Sequence, residues 1–268
     1  MSTNEKGTAL ITGASSGIGA IYADRLARRG YDLLLVSRNE ARLHAVAERI
    51  SRDTGRSIGV LAANLADPAD SGRIEAQLRT NADITMLVNN AGVGAAAPLL
   101  NADVNAMTGM IDINVHALTR LTYAAVPGFV KRGRGTIINV SSIVAIAPEA
   151  LNGVYGGSKA FVLAFSQSLR HELSDKGVRV QVVLPGATAT DFWDIAGQPL
   201  SKLPEQIVMS AEDMVDASLA ALDQGEFVTI PSLPHPADWD AFEAARAALR
   251  PNLSHKAPAA RYGIKTTA

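Results

Sequence analysis

Thr8-Ala9-Leu10-Ile11-Thr12-Gly13-Ala14-Ser15-Ser16-Gly17-Ile18-Gly19 is the stretch that decides the fold of this chain. Residues 8–11 are a short apolar run. The glycine-rich turn then leads into a helical pattern (Ile21, Tyr22, Arg25, Leu26, Arg28, Arg29) that stops at Gly30, and a second apolar run follows at Leu33-Leu34-Leu35-Val36. Strand, glycine turn, helix and strand within about 30 residues make the βαβ unit in which a dinucleotide pyrophosphate rests on a helix N-terminus. Gly13 allows the tight turn after the strand, while Gly17 and Gly19 let backbone approach phosphates and let the helix pack close to the sheet. The spacing is Gly-x3-Gly-x-Gly, not the usual Gly-x-Gly-x-x-Gly. A merely flexible turn would need three glycines at these places by chance.

Working outward, the pattern predicts strands near 8–12, 33–37, 58–62, 85–89, 135–141, 178–184 and 227–230. It predicts helices near 17–29, 39–53, 68–80, 103–132, 155–175 and 211–223. Runs such as Thr136-Ile137-Ile138-Asn139-Val140 are β-branched and almost continuously apolar, which suits parallel strands covered on both faces. The expected fold is α/β, a Rossmann-like doubly wound parallel sheet of about seven strands with helices on both faces. No linker, repeat or low-complexity tract divides the chain, so residues 1–268 read as one nucleotide-binding domain. A variable segment at about 187–210 falls inside it. Pro231, Pro234 and Pro236 end the regular pattern, and a C-terminal extension from about 231 to 268 carries a short helix near 237–249 and a tail to Ala268.

Composition narrows the function classes. A chain of 268 residues with 47% hydrophobic content can bury a sizeable core, and a net charge of −1 argues against a nucleic-acid or anionic-membrane surface. With no cysteine, neither a disulfide framework nor a thiolate metal site is possible. His44, His116, His171, His235 and His255 are scattered without ligand spacing, so no metal is expected. Met1-Ser2-Thr3-Asn4-Glu5-Lys6 is polar and lacks the apolar core of a signal peptide, and no apolar stretch approaches a membrane span. The expectation is a cytoplasmic protein. Arg28-Arg29 and Lys131-Arg132-Gly133-Arg134 read as helix C-terminal charges that complement the dipole, and Asp223 and Glu226 as loop charges.

The chemistry concentrates in Tyr155-Gly156-Gly157-Ser158-Lys159. On a helix, a separation of four puts Tyr155 and Lys159 on one face, one turn apart. An ammonium beside a phenol favours the phenolate, so the tyrosine pKa is expected to fall from about 10 toward neutrality, where it can exchange a proton with a substrate oxygen.

With these motifs in order, the chain resembles the short-chain dehydrogenase/reductase family over roughly residues 7–192. Thr12–Gly19 matches the family's cofactor turn and Asn89-Asn90-Ala91-Gly92 its motif after the fourth strand. Asn114, Ser142, Tyr155 and Lys159 match its catalytic tetrad, and Pro185-Gly186 followed by Thr190 matches the segment that closes over the nicotinamide. The resemblance implies cofactor contacts from Gly13, Ser15, Ser16, Gly17, Ile18 and Gly19 in the turn. It implies further contacts from Asn90, Ala91 and Gly92, from Tyr155 and Lys159, and from Pro185, Gly186, Thr188 and Thr190. It assigns proton transfer to Tyr155, the nicotinamide ribose and a lowered tyrosine pKa to Lys159, the substrate oxygen to Ser142, and a relay water to Asn114. Ser141, pointing the other way on its strand, reads as structural.

Cofactor choice is read at the end of the second strand. NAD-selective folds carry an acid there for the ribose hydroxyls. Here the strand ends Val36-Ser37-Arg38, and Asp32 lies at its wrong end. Ser37 and Arg38 can instead bind a 2′-phosphate. NADP(H) is therefore expected as the preferred cofactor, with NAD(H) possible and Arg42 next in reach. Where the family carries an Asp after the third strand, this chain has Ala63-Asn64-Leu65; Asn64 can still exchange hydrogen bonds with an adenine edge, and Leu65 adjoins it. Asp67 before Pro68 reads as a helix N-cap.

The family's substrate-lining stretches read here Val93-Gly94-Ala95-Ala96-Ala97, Ile143-Val144-Ala145 and Phe192-Trp193-Asp194-Ile195 onward. They are small and apolar, with a tryptophan that could act as a lid, so the expected substrate is a largely apolar carbonyl or alcohol. Phe192 and Trp193 suit core or subunit contact equally well. The resemblance also suggests a homodimer or homotetramer packed through the helices at 103–132 and 155–175. A non-catalytic NADP(H)-binding sensor and a member doing non-redox chemistry are the alternatives.

Overall fold

The computed structural model describes residues 6–264; the polar start Met1–Glu5 and the tail end Lys265–Ala268 lie outside the described residues. Residues up to Pro231 form one compact unit, and those from Ser232 onward a second.

In the first unit, β1 (Thr8–Thr12), β2 (Asp32–Ser37), β3 (Ile58–Ala62), β4 (Ile84–Asn89), β5 (Gly135–Val140), β6 (Val178–Val183) and β7 (Val228–Thr229) form one sheet, parallel throughout, in the order β3-β2-β1-β4-β5-β6-β7. The helices are α1 (Gly17–Arg28), α2 (Glu40–Thr54), α3 (Pro68–Thr80), α4 (Val104–Ile111), α5 (Leu118–Arg132), α6 (Gly153–Leu173), the single turn α7 (Phe192–Ile195) and α8 (Ala211–Gln224). Side chains alternate across each strand, and here both faces are apolar. Ala9, Ile11, Leu33 and Leu35 pack with Leu26, Leu43, Ile50 and Val215 on the α1, α2 and α8 side. Leu10 and Val36 pack with Ile74, Leu121, Phe129 and Leu169 on the α3, α5 and α6 side. Each buried side chain of this kind contributes roughly 1.5–3 kcal/mol, which is what holds the helices on both faces.

Helix ends follow local chemistry. Asp67 caps α3 by accepting from the Ala69 and Asp70 N–H groups, with Pro68 at the first helical position. Asn39 accepts from the Arg42 N–H at the start of α2, and Gly55 ends that helix at φ 67°. One expected helix is in fact two. Between α4 and α5 the chain forms a π-helical turn at Asp112–Ala117, in which Asn114 is buried. Asp223 belongs to α8, not to a loop, and pairs with Arg29 at 3.0 Å.

Order reverses between β1 and β4, the switch point beyond whose strand C-terminal ends ligands bind in such sheets. On the outer face of α5 and α6, Tyr123 is exposed, and its ring stacks on Phe165, which stacks on Phe161, on the helices expected to meet a second subunit. The second unit holds α9 (Pro236–Ala248) and two short 3-10 turns, Arg250–Asn252 and Ala260–Tyr262. Among the described residues, no helix is long and apolar enough to cross a membrane.

Candidate active site

The glycine turn sits at the switch point and is braced from β4. Thr12 Oγ1 donates to the Val88 carbonyl at 3.3 Å and accepts from the Asn90 and Ala91 N–H groups, each at 3.0 Å. Asn90 Nδ2 donates to the Thr12 carbonyl at 2.9 Å and to Gly13 O at 3.3 Å. The Asn90 side chain, expected at the cofactor, is thus engaged in shaping the turn, and Thr12 is a participant that the sequence reading did not single out. Gly13 has φ 68°, and a Cβ on Gly19 would lie 2.2 Å from the Gly13 carbonyl oxygen. These glycines keep an open cradle. At the start of α1, Ser16 makes no side-chain cap bond and the first turn carries no acid, so the helix N-terminus presents backbone N–H groups suited to an anion.

The residues expected at the adenosine lie on neighbouring strand ends. Ser15 Oγ lies 2.9 Å from Ser37 Oγ, joining two expected contacts. Arg38 is exposed, and among the described residues no hydrogen bond or ion pair engages its guanidinium. Arg42 reaches Asp191 at 3.7 Å. Asp32 is paired with Arg56 at 2.8 Å at the opposite end of β2, as its position in the strand required. Asn64 uses its amide oxygen locally, accepting from the Ala66 N–H at 3.2 Å, and the Leu65 carbonyl accepts from Ser71.

Ser142, Tyr155 and Lys159 gather beyond β5 and β6. Asn152 caps α6 through the Val154 N–H, which places Tyr155 in the first turn and Lys159 one turn on. Tyr155 is buried and hydrogen-bonded to Ser142. Ser142 Oγ accepts from the Val144 N–H at 3.3 Å and lies 3.4 Å from the Pro185 carbonyl. Ser141 Oγ donates to the Lys159 carbonyl at 2.7 Å, the structural part expected of it. Asn114, in the π turn, clamps the loop after β4, accepting from the Val93 N–H and donating to the Val93 carbonyl, both at 2.9 Å. Its Nδ2 also donates to Ser158 Oγ at 3.0 Å. A Cβ on Gly92 would sit 3.1 Å from Asn114 Oδ1 and 3.4 Å from Lys159 Nζ, so this glycine borders both groups. Ser158 had no signal in the sequence beyond its place between Tyr155 and Lys159.

The expected depression of the tyrosine pKa is not found. Burial pushes Tyr155 up to about 12, offset only in part by the Ser142 hydrogen bond. Burial likewise brings Lys159 down to about 8, and its Nζ donates to the Val140 carbonyl at 2.9 Å. Both groups are poorly hydrated, and Nζ lies 5.9 Å from the Tyr155 ring centroid, so desolvation outweighs the lysine's charge. A folded-state lysine pKa below its unfolded value gives stability that is full above about pH 10.5 and lost as pH falls through about 8. Without nucleotide, stability relative to Lys159→Met is expected to rise by on the order of 3 kcal/mol between about pH 7 and pH 10. A pH-independent difference between the two melting curves would refute this.

The segment after Pro185-Gly186 leaves and returns through a short parallel pairing of Thr188 with Met209. Thr190 reaches back to the glycine turn, where a Cβ on Gly17 would meet its Cγ2 at 3.1 Å. Trp193 is not a lid. It is buried, and its indole N–H donates to the Thr188 carbonyl at 2.9 Å. Phe192 lies against Tyr155 instead, with ring centroids 5.6 Å apart. Met110, Val144 and Tyr155 cluster there with Val93, Ala95, Met107, Leu151, Val154 and Phe192, an apolar wall.

The open glycine cradle, the uncapped start of α1, the unengaged Arg38 and the border at Gly92 all fit a dinucleotide reaching from β2 to Lys159. A family model described as short chain dehydrogenase matches residues 7–199, and the chain belongs to the short-chain dehydrogenase family. It is an NAD(P)-dependent oxidoreductase interconverting C=O and CH–OH. A short-chain dehydrogenase from Sphingobium yanoikuyae, solved in complex with NADPH, is 46% identical, with a TM-score of 0.92 over 96% of this chain and 100% of that one. The bulky-bulky ketone specific alcohol dehydrogenase from Comamonas testosteroni is 40% identical, with a TM-score of 0.89 over 97% of this chain and 99% of its own. Among curated proteins, a very-long-chain 3-oxoacyl-CoA reductase from Anas platyrhynchos is 36% identical over 76% of this chain and 67% of that protein.

Proposed function

We propose that the chain is an NADP(H)-dependent reductase of ketones that carry large apolar substituents. The observation that carries this reading is the apolar cluster that Met110 and Val144 form with Tyr155, against which Val93, Ala95, Met107 and Phe192 pack. Against these side chains the polar groups of a phosphorylated or sugar-like substrate would lose water without a matching partner. The Sphingobium and Comamonas relatives, an NADPH complex and a bulky-ketone enzyme by name, support the same class.

In this reading Gly13, Ser16, Gly17, Ile18 and Gly19 receive the pyrophosphate, Ser15, Ser37 and Arg38 the 2′-phosphate, and Asn64 and Leu65 border the adenine. Ala91, Gly92, Lys159 and the segment Pro185, Gly186, Thr188 and Thr190 enclose the nicotinamide end. Bound nicotinamide supplies the hydride to the carbonyl carbon, or takes it up in reverse. Ser142 orients the substrate oxygen, and Tyr155 gives its phenolic proton to that oxygen. Lys159, brought down to about 8 by burial in the free protein, holds its proton more firmly beside an anionic cofactor and so favours the phenolate. Asn114 fixes the loop at Val93 and, through Ser158, the first turns of α6.

The reading is tested by following NADPH absorbance with methyl ketones, diaryl ketones and long-chain 3-oxo thioesters, repeated with NADH. Turnover confined to polar or phosphorylated carbonyls would overturn the substrate class. Arg38→Ala is expected to raise the NADPH Kd by about 10- to 100-fold, the worth of a charge-assisted hydrogen bond, and to leave NADH binding within about twofold. Unchanged NADPH affinity would overturn the 2′-phosphate assignment.

A further inference from the structure

The Phe192 ring occupies space that only a glycine could leave. A Cβ on Gly94 would fall 2.2 Å from Phe192 Cζ and 2.5 Å from Cε2, so the ring lies directly on the Gly94 backbone. Its other neighbours are the Tyr155 ring, with centroids 5.6 Å apart and planes at 43°, and the Trp193 ring, edge-on at 5.5 Å. Trp193 is itself anchored by its bond to the Thr188 carbonyl. Loop and turn are tied independently of the ring, because the Ala96 N–H donates to the Ala196 carbonyl at 3.0 Å. Asn152 Nδ2 donates to the Ala97 carbonyl at 2.6 Å, fixing the same loop to the cap of α6. The ring is therefore held in one place beside the reacting hydroxyl, on a scaffold that does not depend on it.

We infer that Phe192, seated on Gly94, is the specificity-determining residue of the cleft, setting how large a substituent fits beside the carbonyl at Tyr155. This rests on the ketone reduction proposed above. Phe192→Ala removes the ring and leaves the Ala96–Ala196 bond and the Trp193 anchor in place. Gly94→Ala leaves the ring but takes away its seat, displacing it between its Tyr155 and Trp193 neighbours. The two substitutions thus act on one object from opposite sides.

The experiment is a double-mutant cycle read as kcat/KM for a small methyl ketone and for a diaryl ketone. Phe192→Ala is expected to shift the ratio in favour of the diaryl ketone by about tenfold or more, and Gly94→Ala to shift it the other way by a similar factor. Gly94→Ala should change the ratio by less than about twofold once Phe192 is Ala, because the added methyl acts only through the ring. An equal effect of Gly94→Ala in both backgrounds, or a Phe192→Ala that scales both ketones alike, would overturn the inference. A second readout needs no turnover. In a Trp239→Phe background, Trp193 emission should change with Gly94→Ala, because the displaced ring leaves its edge. Unchanged emission would overturn the seat, whereas a wild type that reduces no ketone yet shows the emission change would overturn only the proposed reaction.

Discussion

Tyr155→Phe is expected to bind NADPH within about twofold of wild type and to lose on the order of a thousandfold in kcat, because only the proton-carrying oxygen is removed. The phenol is buried and hydrogen-bonded to Ser142, so the change leaves Ser142 with its Val144 contact and costs little stability. Equal melting temperatures would separate lost chemistry from lost fold. Binding is read by nucleotide titration and kcat by NADPH consumption with the best ketone of the panel. A variant that keeps even a tenth of wild-type turnover would mean that another group donates the proton.

Gly19→Ala is expected to damage both the fold and the nucleotide site. The new Cβ would meet the Gly13 carbonyl carbon at 2.8 Å and its oxygen at 2.2 Å, and these are backbone atoms that no rotamer change can move aside. It would also meet Asn90 Nδ2 at 2.6 Å, the group that holds the Thr12 and Gly13 carbonyls. The turn must open, at a cost of about 3 kcal/mol by the scale of overpacked cores, lowering Tm by roughly 6–12 °C. NADPH affinity should fall by at least about 100-fold, since the backbone N–H groups no longer converge. Gly72→Ala in α3, where a Cβ meets nothing within 4 Å, serves as the control and should be neutral or slightly stabilising. Native affinity in Gly19→Ala would show that the turn is not a rigid cradle.

What the sequence made legible was set by local rules. The apolar strand runs, the glycine turn and the caps at Asp67 and Gly30 each depend on a few adjacent residues, and the seven-stranded parallel sheet emerged from them. The π turn at Asp112–Ala117 was invisible because widening a helix by one residue leaves its apolar rhythm intact from Met110 through Leu118 and Leu121. Asn114 was recognised by its resemblance to a motif, but its grip on both Val93 backbone groups needs the tertiary fold. The tyrosine pKa was misread because sequence spacing gives the nearness of a charge and says nothing about how much water both groups have lost. Phe192 and Trp193 are adjacent and alike in character, and only their different neighbours divide them into cleft wall and anchor.

β7 is two residues long and is followed, past Ile230, by Pro231. At this border of the sheet the outermost strand offers few unpaired backbone groups, and the proline can donate none. An incoming extended chain would find almost no ladder to continue, so this margin resists edge-to-edge polymerisation. The cost of that protection is slight, because Val228 and Thr229 stay buried and their neighbours Val182 and Leu184 still find carbonyl partners, at Phe227 and Thr229. This edge of the sheet is thus guarded against aggregation by its brevity.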